Sequence, residues 1–283
     1  MRAQSFWIIV VLQTLLLSAS GANADNLPAP DEVLARMQAV SQGIESGAFL
    51  ARHELPAEGV VTETEGWFDG VRFRVETRQV WSRPGQEPVT DEIWWAFDGE
   101  RIVETRPPKM SSAREATPLR LDEVSKYVSL GGMNVLMNWP LAHSVVHGRS
   151  LPEEVLLHAG GYLETVGQET IGDDSCVVLS APRARTPGRF WICPDKDYAL
   201  ARYEYDREDG RLVVFEVREW MKVGASWIPR VAVGYTVDQE IGEASPIERC
   251  EFVSASFNIP VPEDRFQIQL PEETVREPFA NLN

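Results

Sequence analysis

Apolar side chains along this chain fall first in a block, then at helical spacing, then in alternation. The block runs from Phe6 to Leu17 and is broken only by Gln13 and Thr14. Val33, Leu34, Met37, Val40 and Ile44 follow at helical spacing and predict an amphipathic helix over 31–46. Pro30 and Asp31 suit its start, and Gly43 and Gly47 mark its end. From Phe49 to Arg106 the period shortens to two. Val71 to Thr77 alternates apolar and polar residues, as a half-buried antiparallel strand does. Asp69-Gly70 and Asp98-Gly99 are hairpin signals, and their matching surroundings read as two successive hairpins.

Residues 107–160 are the least regular. Helices are expected over 121–137, despite Gly131-Gly132, and over 152–158, where Pro152 is followed by acids. Strands then return near 162–170, 175–181, 188–194, 198–206, 211–223, 226–239 and 248–257, with Asp209-Gly210 joining two of them. The Pro-rich tail over 260–283 reads as extended. No Gly/Ser-rich or Pro-rich linker divides the chain. One α+β domain over 25–283 is therefore expected. It would be a strongly curved antiparallel sheet, an incomplete β-barrel, with helices covering the concave face.

The first block changes the compartment. Arg2, the apolar run and Ala22-Asn23-Ala24 together read as a signal peptide over 1–24. The run is too short to span a bilayer, which takes about 20 residues. No Cys lies near the cleavage site, so no lipobox is expected. The reading is an exported protein, periplasmic or secreted, and not an integral membrane protein. A formal net charge of -16 and a pI near 4.7 exclude nucleic acid as the main partner. Hydrophobic residues at 43% and charged residues at 25% exclude a disordered chain.

Export also makes disulfides possible. Cys176 and Cys193 lie on adjacent predicted strands, and the turn-like 181–188 stretch is centred between them. A simple hairpin sets them opposite each other, with Val177 facing Ile192 and Leu179 facing Phe190. A Cys176–Cys193 disulfide is expected, with two buried thiols as the alternative. Cys250 is left as a buried strand residue.

Catalytic chemistry is poorly supported. The chain has no Gly-x-Ser-x-Gly, phosphate-binding Gly loop, His-Glu-x-x-His or Cys-x-x-Cys. His143 and His147 would share a helix face and could bind a metal with His158, Glu153 or Glu154. Pro140 and Gly148 flank that pair, and ordinary histidines are the preferred reading. Paired acids such as Asp173-Asp174 and Asp91-Glu92 read as a solvated face. The expectation is a non-enzyme without cofactor or metal. The aromatic pairs carry more. Trp67-Phe68, Trp94-Trp95, Phe190-Trp191, Trp220 and Trp227 all fall on predicted strands. They suit an ordinary core. On one concave face they would instead line an apolar cavity, where an acyl chain gains about 0.8 kcal/mol per buried CH₂.

Four stretches carry a family resemblance: the N-terminal helix followed by long strands; the hairpin from Trp95 through Asp98-Gly99 to Ile102; Val166 to Cys176 followed by Phe190 to Tyr198; and Pro262 to Pro271. Together they resemble the periplasmic lipoprotein-carrier superfamily, LolA/LolB-like and shared with RseB-type domains. The resemblance implies a half-barrel with helices lidding an apolar cavity that holds lipid or lipoprotein acyl chains. It also implies that Arg74, on an early strand, controls the lid. The expected lipid-contacting set is Trp67, Phe73, Arg74, Trp94, Trp95, Trp191, Trp220 and Trp227. The same fold also serves as a sensor or interaction module for cell-envelope proteins, which is the alternative reading.

Overall fold

The helical spacing near residue 33 produces one helix, α1, over Pro30–Gln42. Asp31 and Glu32 occupy its first turn, where acids suit the positive end of the helix dipole. It stops short of the expected residue 46 because of a long-range contact. The Asn258 side chain donates to the Gly43 carbonyl at 2.8 Å and accepts from the Glu45 N–H at 2.9 Å. That pulls the chain out of the helix, and Ile44 packs on the strand core instead. The computed structural model describes residues 27–70, 72–82, 85–106, 112–116, 162–183, 187–207, 209–267, 270, 272 and 275–278. The expected signal peptide, the helices over 121–137 and 152–158, and His143, His147, His158, Glu153 and Glu154 lie outside the described residues.

The strands are β1 Ser46–Leu55, β2 Val60–Asp69, β3 Arg72–Trp81, β4 Val89–Phe97, β5 Ile102–Arg106, β6 Ser112–Ala116, β7 Glu164–Ile171, β8 Asp174–Ala181, β9 Gly188–Cys193, β10 Ala199–Asp206, β11 Arg211–Val223, β12 Ser226–Asp238, β13 Ala244–Phe257 and β14 Val275–Pro278. They form one sheet of order β14-β6-β5-β4-β3-β2-β1-β13-β12-β11-β10-β9-β8-β7. All the described pairings are antiparallel except β14 with β6. The tail is thus not wholly extended: Glu263–Phe266 is a 3-10 turn and β14 a strand. The expected hairpins are present. Gly70 takes φ 59 between β2 and β3, and Gly99 takes φ 104 between β4 and β5. Both angles favour glycine. Two meanders, β1–β6 and β7–β13, are joined by the pairing of β1 with β13.

The sheet is curved and not closed. α1 is tied to this sheet at both ends. The Pro28 carbonyl, just before α1, accepts from Thr165 on β7 at 2.7 Å. Gly43, just after α1, is held by Asn258 beyond β13. From β7 to β13 the sheet takes six strand steps of about 4.8 Å, or about 29 Å along its surface. The 13 residues of α1 span about 20 Å.

Strand register sorts the side chains onto two faces. The inner face carries α1. Val33, Leu34 and Met37 pack there on Val177, Leu179, Ala181, Phe190 and Ile192. The main core lies on the same face and includes Phe49, Phe68, Phe73, Val75, Trp95, Phe97, Ile228 and Phe252. Gly66 is register partner to Phe49, and a Cβ there would run into the Phe49 ring. The outer face holds a smaller core of Cys176, Val178, Trp191, Cys193 and Ala201. Cys176 and Cys193 form a disulfide. Val177 faces Ile192 and Leu179 faces Phe190 across β8 and β9.

Two measurements check this packing. Replacing Cys176 and Cys193 by Ser removes a cross-link spanning 17 residues, and should lower unfolding free energy by about 3 kcal/mol. Equal denaturation midpoints with and without the disulfide would count against that. Gly66→Ala should cost about 1–3 kcal/mol through overpacking against Phe49, read as a lowered midpoint in the same urea titration.

Candidate functional site

The eight residues expected to meet lipid do not share a face. Phe73 and Trp95 point inward, into the main core. Trp67, Arg74 and Trp94 point outward, as the pairings Trp67 with Arg74 and Trp94 with Glu76 require. Trp191, Trp220 and Trp227 also lie outside. Trp191 and Trp220 meet in the smaller core, and Trp227 pairs with Lys222. The reason is elementary: successive strand residues face opposite ways. Trp94 and Trp95 therefore cannot line one surface, and neither can Phe190 and Trp191.

On the outer face, aromatic rings lie beneath cations. The Arg74 guanidinium is 4.6 Å from the Trp94 ring centre, and Arg265 is 4.7 Å from that of Trp67. Arg72 lies 4.7 Å from the Phe266 ring and pairs with Glu263 at 2.6 Å. Arg74 also pairs with Glu76 at 2.5 Å and donates to the Gln267 carbonyl at 3.2 Å. These contacts clasp the 263–267 turn onto β2 and β3. Arg74 therefore sits on the face opposite α1, away from the helix that the family resemblance has it control. Farther along, Trp191 lies under Arg189 and Arg202, and its Nε1 donates to Glu169 at 2.9 Å. Arg202 bonds Glu204 at 2.8 Å, and Arg218 bonds Glu216 at 2.8 Å. Several of the acids are thus partners of outward arginines.

The inner face is different. Phe190, Tyr203 and Tyr205 stack in a ladder with ring centres 4.7 and 5.4 Å apart, and Tyr203 also stacks on Phe215 at 6.3 Å. Burial, with Tyr205 beside it, pushes the Tyr203 phenol well above its usual range. Burial also raises Tyr205, against the opposing charge of Arg207. Both rings stay neutral across ordinary pH. Ile93, Met221, Ala255 and Phe257 pack against the main core while only partly buried. They leave apolar surface on this face.

Buried polar groups interrupt the inner face, among them Glu104, the register partner of Trp95, and Thr236 on β12. Thr62, Thr64 and Thr77 are buried along β2 and β3. Beside them His53 Nε2 and Glu248 Oε2 lie 2.6 Å apart, both buried. Cys250 is buried next to them. Among the described residues, these three form a group of metal-ligating side chains whose ligand atoms lie within 4.8 Å of one another. Sequence reasoning missed this group. His53 carries the right strand parity, but its partners stand some 195 positions away and meet it only through the pairing of β1 with β13.

No protein-family profile matches the sequence, and no curated protein matches it. Among solved structures the chain is similar to a DUF1329 family protein from Desulfovibrio piger, with 13% identity over 84% of this chain and 95% of that one, at TM-score 0.48. It is also similar to LprF from Mycobacterium bovis, with 10% identity over 86% of this chain and 96% of that one, at TM-score 0.33. A third likeness is to MucB in the MucA/MucB complex of Pseudomonas aeruginosa, with 12% identity over 85% of this chain and 61% of that one, at TM-score 0.30. At these identities no residue role passes to this chain, and its function is read from its own side chains.

The outer clasp yields a direct expectation. Arg74→Ala should free the 263–267 turn, so that limited proteolysis cuts there first. Unfolding free energy should fall by about 1–3 kcal/mol through the lost charge-assisted bonds. An unchanged cleavage pattern would show that Arg74 does not hold the turn.

Proposed function

We propose that this chain is an exported lipid-binding carrier that holds acyl chains against the inner face of its open sheet. The observation that carries this reading is the contrast between the faces. Outward positions of β2 and β3 bear Glu63, Glu65, Arg72, Arg74, Glu76 and Arg78, whereas the inward positions of β1–β4 include Phe49, Phe68, Phe73, Val75, Trp95 and Phe97. An unclosed sheet with an apolar concave side suits an apolar ligand. Ile93, Met221, Ala255 and Phe257 supply partly open apolar contacts. The neutral Tyr203 and Tyr205 extend that surface toward α1.

Export is part of the proposal. It draws on the signal peptide expected over 1–24 and on the Cys176–Cys193 disulfide, which suits an oxidising compartment. The described residues contain no helix long and apolar enough to cross a membrane.

Native mass spectrometry of purified protein, with a fluorescent acyl-chain probe titrated alongside, checks the reading. Bound lipid and saturable probe binding are expected. Ala255→Trp should fill the inner face and weaken binding at least about tenfold, a loss of about 1.4 kcal/mol. The outward Arg218→Ala should leave binding unchanged. Absence of lipid and of probe binding in folded wild-type protein would sink the proposal. Recovery of a stoichiometric envelope protein instead would favour the interaction-module reading.

A further inference from the structure

We propose that His53, Glu248 and Cys250 form a zinc site on the inner face, at the seam between β1 and β13. The register builds the group. His53 and Cys250 are direct cross-strand partners, and Glu248 lies two residues before Cys250 on the same face. All three are buried, at 2%, 6% and 2% exposure. Their ligand atoms lie within 4.8 Å of one another. Zinc bond lengths of about 2.0–2.3 Å place tetrahedral ligand atoms roughly 3.3–3.8 Å apart. Small side-chain rotations therefore close the site, with no movement of the strands. Positions on strands also hold ligands more rigidly than loop positions do.

The donor chemistry fits. One imidazole, one carboxylate and one thiolate form a mixed N/O/S set of the kind zinc takes, whereas magnesium and calcium prefer oxygen alone. Charge balance fits as well, because a doubly positive ion offsets the carboxylate and thiolate and leaves the buried site neutral. Zinc would take the place of the hydrogen between His53 Nε2 and Glu248 Oε2, the imidazole staying neutral with its one proton on Nδ1. Cys250 would release its thiol proton to solvent. Three protein ligands leave one position open. Thr62, the buried register partner of His53 on β2, stands beside it. This site is independent of the lipid reading, since it uses none of the residues assigned to acyl chains.

The other two cysteines form the disulfide, so any thiolate–metal signal reports Cys250 alone. Cobalt(II) titrated into the full disulfide-bonded chain should raise a thiolate-to-cobalt charge-transfer absorption that saturates at one ion per chain. Zinc should displace it and raise the thermal unfolding midpoint of the wild type. Cys250→Ser should abolish the absorption, and His53→Gln should weaken metal binding about tenfold or more. If either variant fails to fold, the wild-type absorption and midpoint shift decide by themselves. Cobalt binding without a thiolate band, or no binding by the folded wild type, overturns the proposal. A band that survives in Cys250→Ser overturns it too.

Discussion

The pairing of β1 with β13 is the constraint on which the rest depends. Each meander forms from neighbouring hairpins, but only this ladder makes the two into one sheet. It joins segments about 200 residues apart. That separation is tolerable because loop-closure cost grows only with the logarithm of length. Once formed, it places Asn258 under the end of α1 and Glu248 beside His53. The helix end and the buried polar group are both consequences of one long-range ladder.

Local signals explain why so much of the fold is legible in the sequence. Alternation around Val71–Thr77, the Asp-Gly turns and the turn between Cys176 and Cys193 each act over fewer than twenty residues. Elements set by such short-range rules appear where the residues put them. The end of α1 is different. Ile44 continues the helical stripe, yet a side chain from beyond β13 decides where the helix stops. Strand order across the seam is likewise invisible in any local window.

The candidate site was less legible for a related reason. Aromatic content marked the right strands, but parity within a strand decides which face a ring meets. Trp94 and Trp95 illustrate this: one lies under Arg74 outside, and the other is in the inner core. Large outward rings do not make the outer face apolar, because arginines cover them and glutamates neutralise the arginines in turn. What remains for an apolar ligand is the inward set of Phe, Val and Tyr side chains, which composition alone does not distinguish from packing.

Two cross-pieces run athwart the strands on opposite sides, and they oppose different deformations. Inside, α1 ties β7 to the seam along a chord, so that half of the sheet resists flattening. Outside, the C-terminal segment leaves β13, is clasped on β3 by Arg72 and Arg74, and ends as β14 beside β6. A brace on the convex side resists tighter curling but permits flattening. The mechanical compliance of the sheet is therefore uneven. The β7–β13 half is braced across its concave side by α1, whereas the β2–β6 half is held across its convex side by the C-terminal segment.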